Sequence, residues 1–380
     1  MKNIKLGVKL IGGFSIVALL VLIVGFFGWN GARSLNGHVE EIGVERLQSV
    51  EDLLIIESES NAVRIALRSL LNPRMTQAER ERQYEHISTA RDVYRAAWEE
   101  YEALENSEEN EATWEEFSAV WDEWALVNNG FLSQSREIEE TDVLNPDAYR
   151  GEFAGFIADH HELMGNVADY LLTGETFEGG GDPTACNFGQ WLAGYDTTNA
   201  DIRGILEEIV PHHDQFHESV NTVRAEVGDG ELQAAIAEYA ETMRPEAGSV
   251  FEHFNEILQI VDQIDGLYDE MHMAAMGEGV ERQQEAVALL TEIIESNDRA
   301  TDVAVETAEV EGRRVELIAL SGMAIGVILA LLLGVILTRG ITGPLFKGVE
   351  FAGELSQGNL RADLAVQQQD EIGQLAEALR

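Results

Sequence analysis

The sequence predicts an all-α protein, and three observations lead to that class. Helix-favouring residues recur with apolar spacings near 3.6, as in the segments 62–70 and 114–124. No run shows the sustained alternation of a half-buried strand. The chain has only six prolines among 380 residues, so helix-breaking positions are few and widely separated. The architecture expected from these patterns is a set of long helices packed side by side.

Two apolar runs are long enough to cross a bilayer as helices. Leu10–Trp29 contains no charged residue and Leu317–Thr338 is a second such run, so transmembrane helices are expected at 10–30 and 317–338. The first run is longer than a typical signal core and lacks a small-residue cleavage site, which favours an uncleaved anchor. Basic residues lie near the two ends of the chain, beyond these runs: Lys2, Lys5, Lys9, Arg339 and Lys347.

The distribution of basic residues predicts an orientation. Because the cytoplasmic flanks of membrane helices are enriched in Lys and Arg, residues 1–9 and 339–380 are expected in the cytoplasm. Residues 31–316 would then lie on the periplasmic side of a cell inner membrane that the chain crosses twice. The net charge of −44, from 69 acidic and 25 basic residues, excludes nucleic acid as a partner. Most of the carboxylates are expected on solvated helix faces.

Three helices are predicted in the membrane-proximal segment 31–146. The first continues from the membrane and ends at about Leu71, because an Asn-Pro pair follows and the residue before a proline disfavours a helix. Apolar spacing predicts a second helix over about 76–104 and a third over about 109–141. The aromatic residues of the third helix are interpreted as core rather than as a ligand pocket. With a return helix at 246–316, these elements would form a four-helix bundle.

Residues 147–245 are predicted to form a separate helical module, inserted before the final helix of the bundle. Its first helix is followed by a glycine-rich stretch at 177–184, which is a loop by composition. Two more helices are predicted over 199–227 and 231–243. A long last helix begins near Glu246 and runs into the second membrane span.

The strongest chemical lead is a concentration of metal-binding residue types within this module. It holds the only cysteine of the chain and five of its nine histidines. Imidazole and thiolate groups are common ligands of protein-bound zinc. The residues concerned are His160, His161, Cys186, His212, His213 and His217.

Helical geometry selects four of these six donors. His213 and His217 stand four residues apart on a predicted helix, so they share a face and can bind one ion. His160 falls on an apolar stripe that points it inward, whereas His161 is rotated by about 100°. Cys186 would supply a thiolate from a loop-to-helix junction. The predicted ligands of a tetrahedral Zn2+ are therefore His160, Cys186, His213 and His217.

Two alternatives stand beside this zinc site. The polar residues could be satisfied by hydrogen bonds inside a helical core, or the zinc could be catalytic. Catalytic zinc is disfavoured because it leaves one position open to water and needs a nearby general base. No pattern of a nucleophile with a base, or of paired catalytic carboxylates, is recognised, so an enzyme is not expected. His253 and His272, on the last helix, are predicted to be structural or exposed.

The motif Cys186-Asn-Phe-Gly-Gln-Trp-Leu, with Asp159-His160 upstream and Pro211-His-His-Asp-Gln-Phe-His217 downstream, resembles the chemoreceptor zinc-binding domain. That resemblance implies a small helical bundle holding zinc with three histidines and one cysteine. Two features depart from the family: Leu163 stands where an aromatic residue is usual, and many members are cytoplasmic. By the resemblance, the family's ligands fall on His160, Cys186, His213 and His217.

The C-terminal region carries a second resemblance. Pro344 is expected to interrupt the membrane helix, and two short helices with narrow apolar seams follow, the second beginning at Asp370-Glu-Ile-Gly. These features are similar to those of a HAMP relay domain. They imply a homodimer with a parallel coiled coil at 339–380. The seam residues are Leu345, Val349, Ala352 and Leu355 in the first helix and Ile372, Leu375 and Leu379 in the second.

Together the resemblances imply the sensory half of a transmembrane methyl-accepting chemotaxis receptor. An extracytoplasmic stimulus, a small molecule or an oxidant, would be relayed through the second membrane helix and the HAMP domain. The expected partners are a second copy of the chain, receptor arrays, and a chemotaxis adaptor and kinase reached through an output module outside this sequence. The alternative is the input half of a sensor histidine kinase or diguanylate cyclase, in which zinc is purely structural.

Overall fold

The computed structural model describes residues 4–104, 108 and 110–380. These residues form helices and connecting turns with no strand among them, which confirms the predicted all-α class. The α-helices are α1 (Leu6–Glu40), α2 (Leu47–Leu70), α3 (Gln77–Glu102), α4 (Glu111–Glu140), α5 (Pro146–Thr173), α6 (Asn187–Gly194), α7 (Ala200–Gly228), α8 (Leu232–Glu238), α9 (Arg244–Met273), α10 (Gly279–Leu337), α11 (Gly343–Ser356) and α12 (Glu371–Leu379). Between them lie π-helical segments at Glu41–Arg46, Tyr239–Met243, Ala274–Glu278 and Thr338–Thr342.

The chain divides into two compact units, one of Met1–Ser49 with Glu295–Arg380 and the other of Val50–Ile294. The second unit contains a large apolar core to which α2 to α7, α9 and the first part of α10 contribute. A smaller core in the same unit joins residues of α5, α7, α8 and α9. The aromatic residues of α4 are buried in the large core, as their spacing predicted: Trp114, Phe117, Trp121 and Trp124.

Local sequence explains where the helices of this unit begin. Thr76 caps α3, since its hydroxyl accepts the Glu79 N–H at 3.3 Å while the Glu79 carboxylate accepts the Thr76 N–H at 2.9 Å. Asn145 caps α5 with its side-chain oxygen, and a proline follows at the first helical position. The predicted start of the third helix near Glu109 lies outside the described residues, and α4 is described from Glu111.

Two prolines expected to break helices do not do so. The sequence predicted separate helices on either side of Pro245 and an interruption at Pro344, yet Leu232–Ser356 is one continuous helix. A proline lacks an N–H donor and its ring crowds the carbonyl four residues earlier. Each proline here follows a π-helical segment, Tyr239–Met243 or Thr338–Thr342, in which the carbonyls bond to N–H groups five residues on. This altered ladder lets the helix continue past the proline.

Two helices contain stretches long and apolar enough to cross a membrane. They belong to Leu6–Leu70 and Leu232–Ser356, and the assignment rests on length and composition. Within the first unit, α1 and α10 approach closely at glycines. A Cβ added at Gly31 would lie 2.2 Å from Val315, and one at Gly322 would lie 2.4 Å from Val24. The contact between these helices therefore depends on the absence of side chains at both positions.

The C-terminal part of the first unit has its own small core, formed by Phe351 of α11 with residues of the following linker and α12. The predicted seam residues Leu345 and Val349 are exposed in the single chain, so they do not contribute to this core. Asp370 caps α12 and forms an ion pair with Lys9 of α1. The acidic start of α12 is thereby tied to the beginning of the chain's first helix.

Candidate metal centre

The four predicted ligands lie together in the second unit. The ligand atoms of His160, Cys186, His213 and His217 are all within 4.8 Å of one another. His160 comes from α5, Cys186 from the residue that caps α6, and the other two from α7. The three histidines are at most 2% exposed, and Cys186 is partly buried. The site therefore gathers residues from three segments into one enclosed group.

A tight turn places the cysteine. The Cys186 sulfur accepts the N–H of Gly189 at 3.2 Å, which satisfies one free donor at the start of α6. A Cβ at Gly189 would lie 1.9 Å from the carbonyl oxygen of Pro183, so only glycine fits at this position. Phe188 is fully buried and anchors the turn in the large core. These contacts fix the direction of the Cys186 side chain.

Backbone carbonyls orient two of the imidazoles. The Nδ1 atom of His160 is 2.6 Å from the Phe156 carbonyl oxygen, and that of His217 is 2.7 Å from the Gly180 carbonyl oxygen. A carbonyl oxygen can only accept, so each Nδ1 carries the proton and each Nε2 presents a lone pair to the centre. Hydrogen bonds of this kind are typical of histidines that bind metals.

The loop that supplies the Gly180 carbonyl is itself held in place. Gly180 has a φ of 84°, which favours glycine. Arg224 of α7 donates to the carbonyl oxygens of Phe177 and Gly179, and its guanidinium lies 4.3 Å from the centre of the Phe177 ring. These contacts join residues far apart in the chain, and helical periodicity did not predict them. The run of three glycines at 179–181 was the available signal that the backbone approaches another group closely.

Two of the distances between donor atoms are close to those around a tetrahedral ion. The Nε2 of His213 lies 3.2 Å from the Cys186 sulfur and 3.1 Å from the Nε2 of His217. Bonds of about 2.0–2.3 Å to zinc place neighbouring tetrahedral donors roughly 3.3–3.6 Å apart. The Nε2 of His160 is buried and has no hydrogen-bond partner. A bound cation would give this buried acceptor, which lies among two imidazoles and a thiol, the partner it lacks.

Electrostatics favours the neutral imidazole at each position. Burial lowers the pKa of His160, His213 and His217, and for His213 burial together with the neighbouring histidines brings the pKa to about 3. Burial also raises the pKa of the Cys186 thiol. Neutral imidazole is the form that binds metal, and a coordinating cation is the agent that would convert this thiol to thiolate.

Four histidines that the sequence set apart from the metal site lie outside the cluster of four ligands. His161 packs against the Phe251 ring, with 4.4 Å between ring centres. His212 lies 2.6 Å from a carboxylate oxygen of Glu246, and His253 lies 2.9 Å from one of Glu256. His272 is exposed on α9. The helix faces therefore separate His160 from His161 and His213 from His212, as the 100° rotation per residue predicts.

Comparison with known families gives two matches. Residues 3–170 match the four helix bundle sensory module for signal transduction. Residues 160–223 match the chemoreceptor zinc-binding domain, and this range contains all four clustered residues. No curated protein and no solved structure matches the chain. The two family matches suggest a chemoreceptor-type signalling sensor. The His/Cys/His/His cluster of the structure is consistent with zinc.

Proposed function

We propose that this chain is the sensory region of a transmembrane chemoreceptor and that it holds one Zn2+ ion. The ligands are His160, Cys186, His213 and His217. The observation that carries the proposal is the convergence of their donor atoms within 4.8 Å, with the Nε2 of His160 buried and lacking any other partner. The match to the chemoreceptor zinc-binding domain supports the choice of metal.

The site acts first as a cross-link. Bound zinc supplies a strong, non-redox connection among four donors. His160 of α5 and the two histidines of α7 are buried on long helices and shielded from water. Cys186, in contrast, lies on a short turn. Since Cys186 is also the least buried ligand, it is the residue through which an oxidant or a change in zinc supply would reach the site.

The proposed topology has two membrane spans and an extracytoplasmic sensory region at 31–316. Its support is the pair of apolar stretches in long helices, together with basic residues near both chain ends. An alkaline phosphatase reporter inserted in the turn at Asn72–Met75 tests it. Activity of that fusion agrees with the topology, whereas an inactive phosphatase together with a fluorescent cytoplasmic reporter at the same turn overturns it.

The signal would leave through the C-terminal helices. We assign residues 339–380 to a HAMP-type relay that works as a homodimer, supported by the capping of α12 by Asp370 and the exposed seam residues Leu345 and Val349. A second chain would cover these side chains. An adaptor and kinase would then respond through an output module. Crosslinking of Val349→Cys in a Cys186→Ala background tests the dimer, and absence of a disulfide-linked pair in membranes counts against it.

Metal analysis of the full chain in detergent tests the zinc site. We expect about one zinc ion per chain. Cys186→Ala or His217→Ala should weaken zinc affinity by at least about 10- to 100-fold, because removing a ligand costs more affinity than removing a residue that only hydrogen-bonds to a ligand. The matched controls are His161→Ala and His212→Ala, each adjacent to a ligand on the same helix. Zinc retention in both ligand variants, or equal losses in the controls, contradicts the proposal.

A further inference from the structure

Three arginines meet at a cavity of the helical bundle that has no part in the metal centre. The cavity has a volume of about 290 Å³ and lies between α3 and α4 in the second unit. Arg91 and Arg95 reach it from α3, and Arg136 reaches it from α4. This grouping runs against the composition of the chain, in which 69 acidic residues outnumber 25 basic ones. One carboxylate, that of Asp92, also lines the cavity, so three cations face one anion there. Such a local excess of cations in an acidic protein indicates an anionic occupant.

Arg91 is the cation that lacks a partner. Its side chain is partly buried, and it makes no hydrogen bond or ion pair with any other residue that the structure describes. Burial lowers the pKa of its guanidinium; Tyr94 opposes this shift, and the neighbouring Arg95 adds to it. Holding a guanidinium partly out of water without a carboxylate is unfavourable. An anion bound in the cavity would remove that penalty.

The other two arginines differ in how firmly they are held. Arg136 lies 3.6 Å from the centre of the Tyr84 ring and contacts Glu81 at 2.8 Å and Glu139 at 3.1 Å, so three neighbours hold its guanidinium in place. Arg95 contacts Asp92 at 3.3 Å, and both side chains are more than 60% exposed. An ion pair this exposed is weak, so Arg95 can turn toward a ligand at small cost.

The cavity also has apolar walls. Ile87 of α3 is buried and Leu132 of α4 is partly buried, and both line the cavity beside the hydroxyl of Ser88. A purely inorganic anion would make no apolar contact with these side chains, whereas a short aliphatic chain would pack against the parts of them that face the cavity. The volume lies at the lower end of the range for small-molecule sites. The cavity lining therefore combines guanidinium groups with a small apolar surface.

We propose that this cavity binds a small organic carboxylate. The carboxylate lies on the Arg91 guanidinium, whose planar fork matches two carboxylate oxygens, and Arg95 adds a second positive charge. The aliphatic part of the ligand packs on Ile87 and Leu132. None of the metal ligands lines the cavity, so this site and the zinc centre can be tested separately.

Isothermal titration of the full chain in detergent, with succinate as the probe, tests the proposal. Saturable binding is expected, and Arg91→Gln should weaken it about 10- to 100-fold, the range for a lost charged hydrogen-bond pair. Arg91→Lys should restore part of the affinity by keeping the charge without the fork. The matched control is Arg82→Gln, which removes the same charge from an exposed position on the same helix and should leave binding unchanged.

Further probes separate the classes of ligand. Acetate and propionate should compete with succinate, neutral succinamide should not, and inorganic phosphate should bind more weakly. The proposal is overturned if no carboxylate binds saturably, if phosphate binds more tightly than all three, or if Arg82→Gln weakens binding as much as Arg91→Gln. Unchanged circular dichroism and zinc content in Arg91→Gln show that the variant is folded, and succinate binding at unchanged affinity to that folded variant also overturns the proposal.

Discussion

The Nε2 atoms of His213 and His217 lie 3.1 Å apart on the buried face of α7. The Cys186 sulfur lies 3.2 Å from the Nε2 of His213. Since His217 uses its Nδ1 proton for the Gly180 carbonyl, its Nε2 presents a lone pair to His213. The lone pairs of these residues converge on one point.

Gly189 is expected to be essential for placing Cys186. In Gly189→Ala the new Cβ would lie 1.9 Å from the Pro183 carbonyl oxygen, so the turn must shift and carry the thiol away from the histidines. We expect a loss of about 1–3 kcal/mol in stability from overpacking and a zinc affinity lower by at least 10- to 100-fold. Thermal unfolding and competition with a zinc chelator measure the two effects.

Gly194→Ala is the matched control, because it makes the same change at the end of the same short helix. A Cβ at Gly194 has nothing within 4 Å. Its zinc affinity and melting temperature should stay close to those of the original chain. Equal behaviour of the two alanine variants would contradict the role assigned to the Cys186 turn.

Arg80 is expected to be the most sensitive charged residue of the bundle. Its side chain is fully buried and contacts Glu139 at 2.9 Å, Ser135 at 2.7 Å and the Leu70 carbonyl at 3.1 Å. Arg80→Ala leaves the Glu139 carboxylate without this buried partner, so a loss of about 3–5 kcal/mol is expected in denaturant unfolding. The exposed Arg82→Ala should change stability by less than about 0.5 kcal/mol. A loss below about 1 kcal/mol in Arg80→Ala would show that this contact network contributes little.

The sequence was sufficient for features that depend on local periodicity. The pairing of His213 with His217 and the choice of His160 over His161 both follow from the rotation of an α-helix, and the structure brings these residues together. The α-helical class is local in the same sense. Each depends on residues within a few positions of one another.

Features that depend on distant partners could not be predicted in this way. The Gly180 carbonyl meets His217 across 37 positions, and the arginine cavity requires the register between α3 and α4. The continuity of the helix at Pro245 was predicted wrongly, because a proline is usually a stop signal. The preceding π-helical segment, which removes the conflict, has no simple sequence pattern of its own.

Asp142 is expected to make stability depend on pH. Burial opposes its ionisation, but hydrogen bonds from Thr198 and Thr197 outweigh it, and the pKa of the carboxyl is lowered. Its contribution is therefore present above the unfolded-state pKa of about 3.9 and is lost as the pH falls through the lower folded value. Because Asp142 is exposed, we expect about 1 kcal/mol or less.

Comparison of the original chain with Asp142→Asn isolates this effect. Asp142 has a φ of 59°, and asparagine tolerates that conformation as well as aspartate does. The stability difference between the two chains should be largest near neutral pH and should shrink below about pH 4. Urea unfolding at several pH values measures it, and a difference that does not change with pH would rule out the carboxylate as its cause.

Gly322 is expected to maintain the contact between α1 and α10. A Cβ there would lie 2.4 Å from a methyl group of Val24, whose side chain has little freedom in a helix. Gly322→Ala should lower the melting temperature in detergent. At Gly334, also on α10, a Cβ meets nothing within 4 Å, so Gly334→Ala should leave the melting temperature unchanged or raise it. If Gly334→Ala lowered the melting temperature and Gly322→Ala did not, the close packing described between Gly322 and Val24 would be contradicted.

X-ray absorption at the zinc edge of the full chain tests the central claim most directly, because it reports the atoms bound to the metal. The predicted result is a four-coordinate ion with one sulfur at about 2.3 Å and three nitrogens at about 2.0–2.1 Å. The sulfur contribution should disappear in Cys186→Ala and remain in His161→Ala. A spectrum of the original chain without sulfur, or a chain that takes up no zinc, would contradict the four-ligand site.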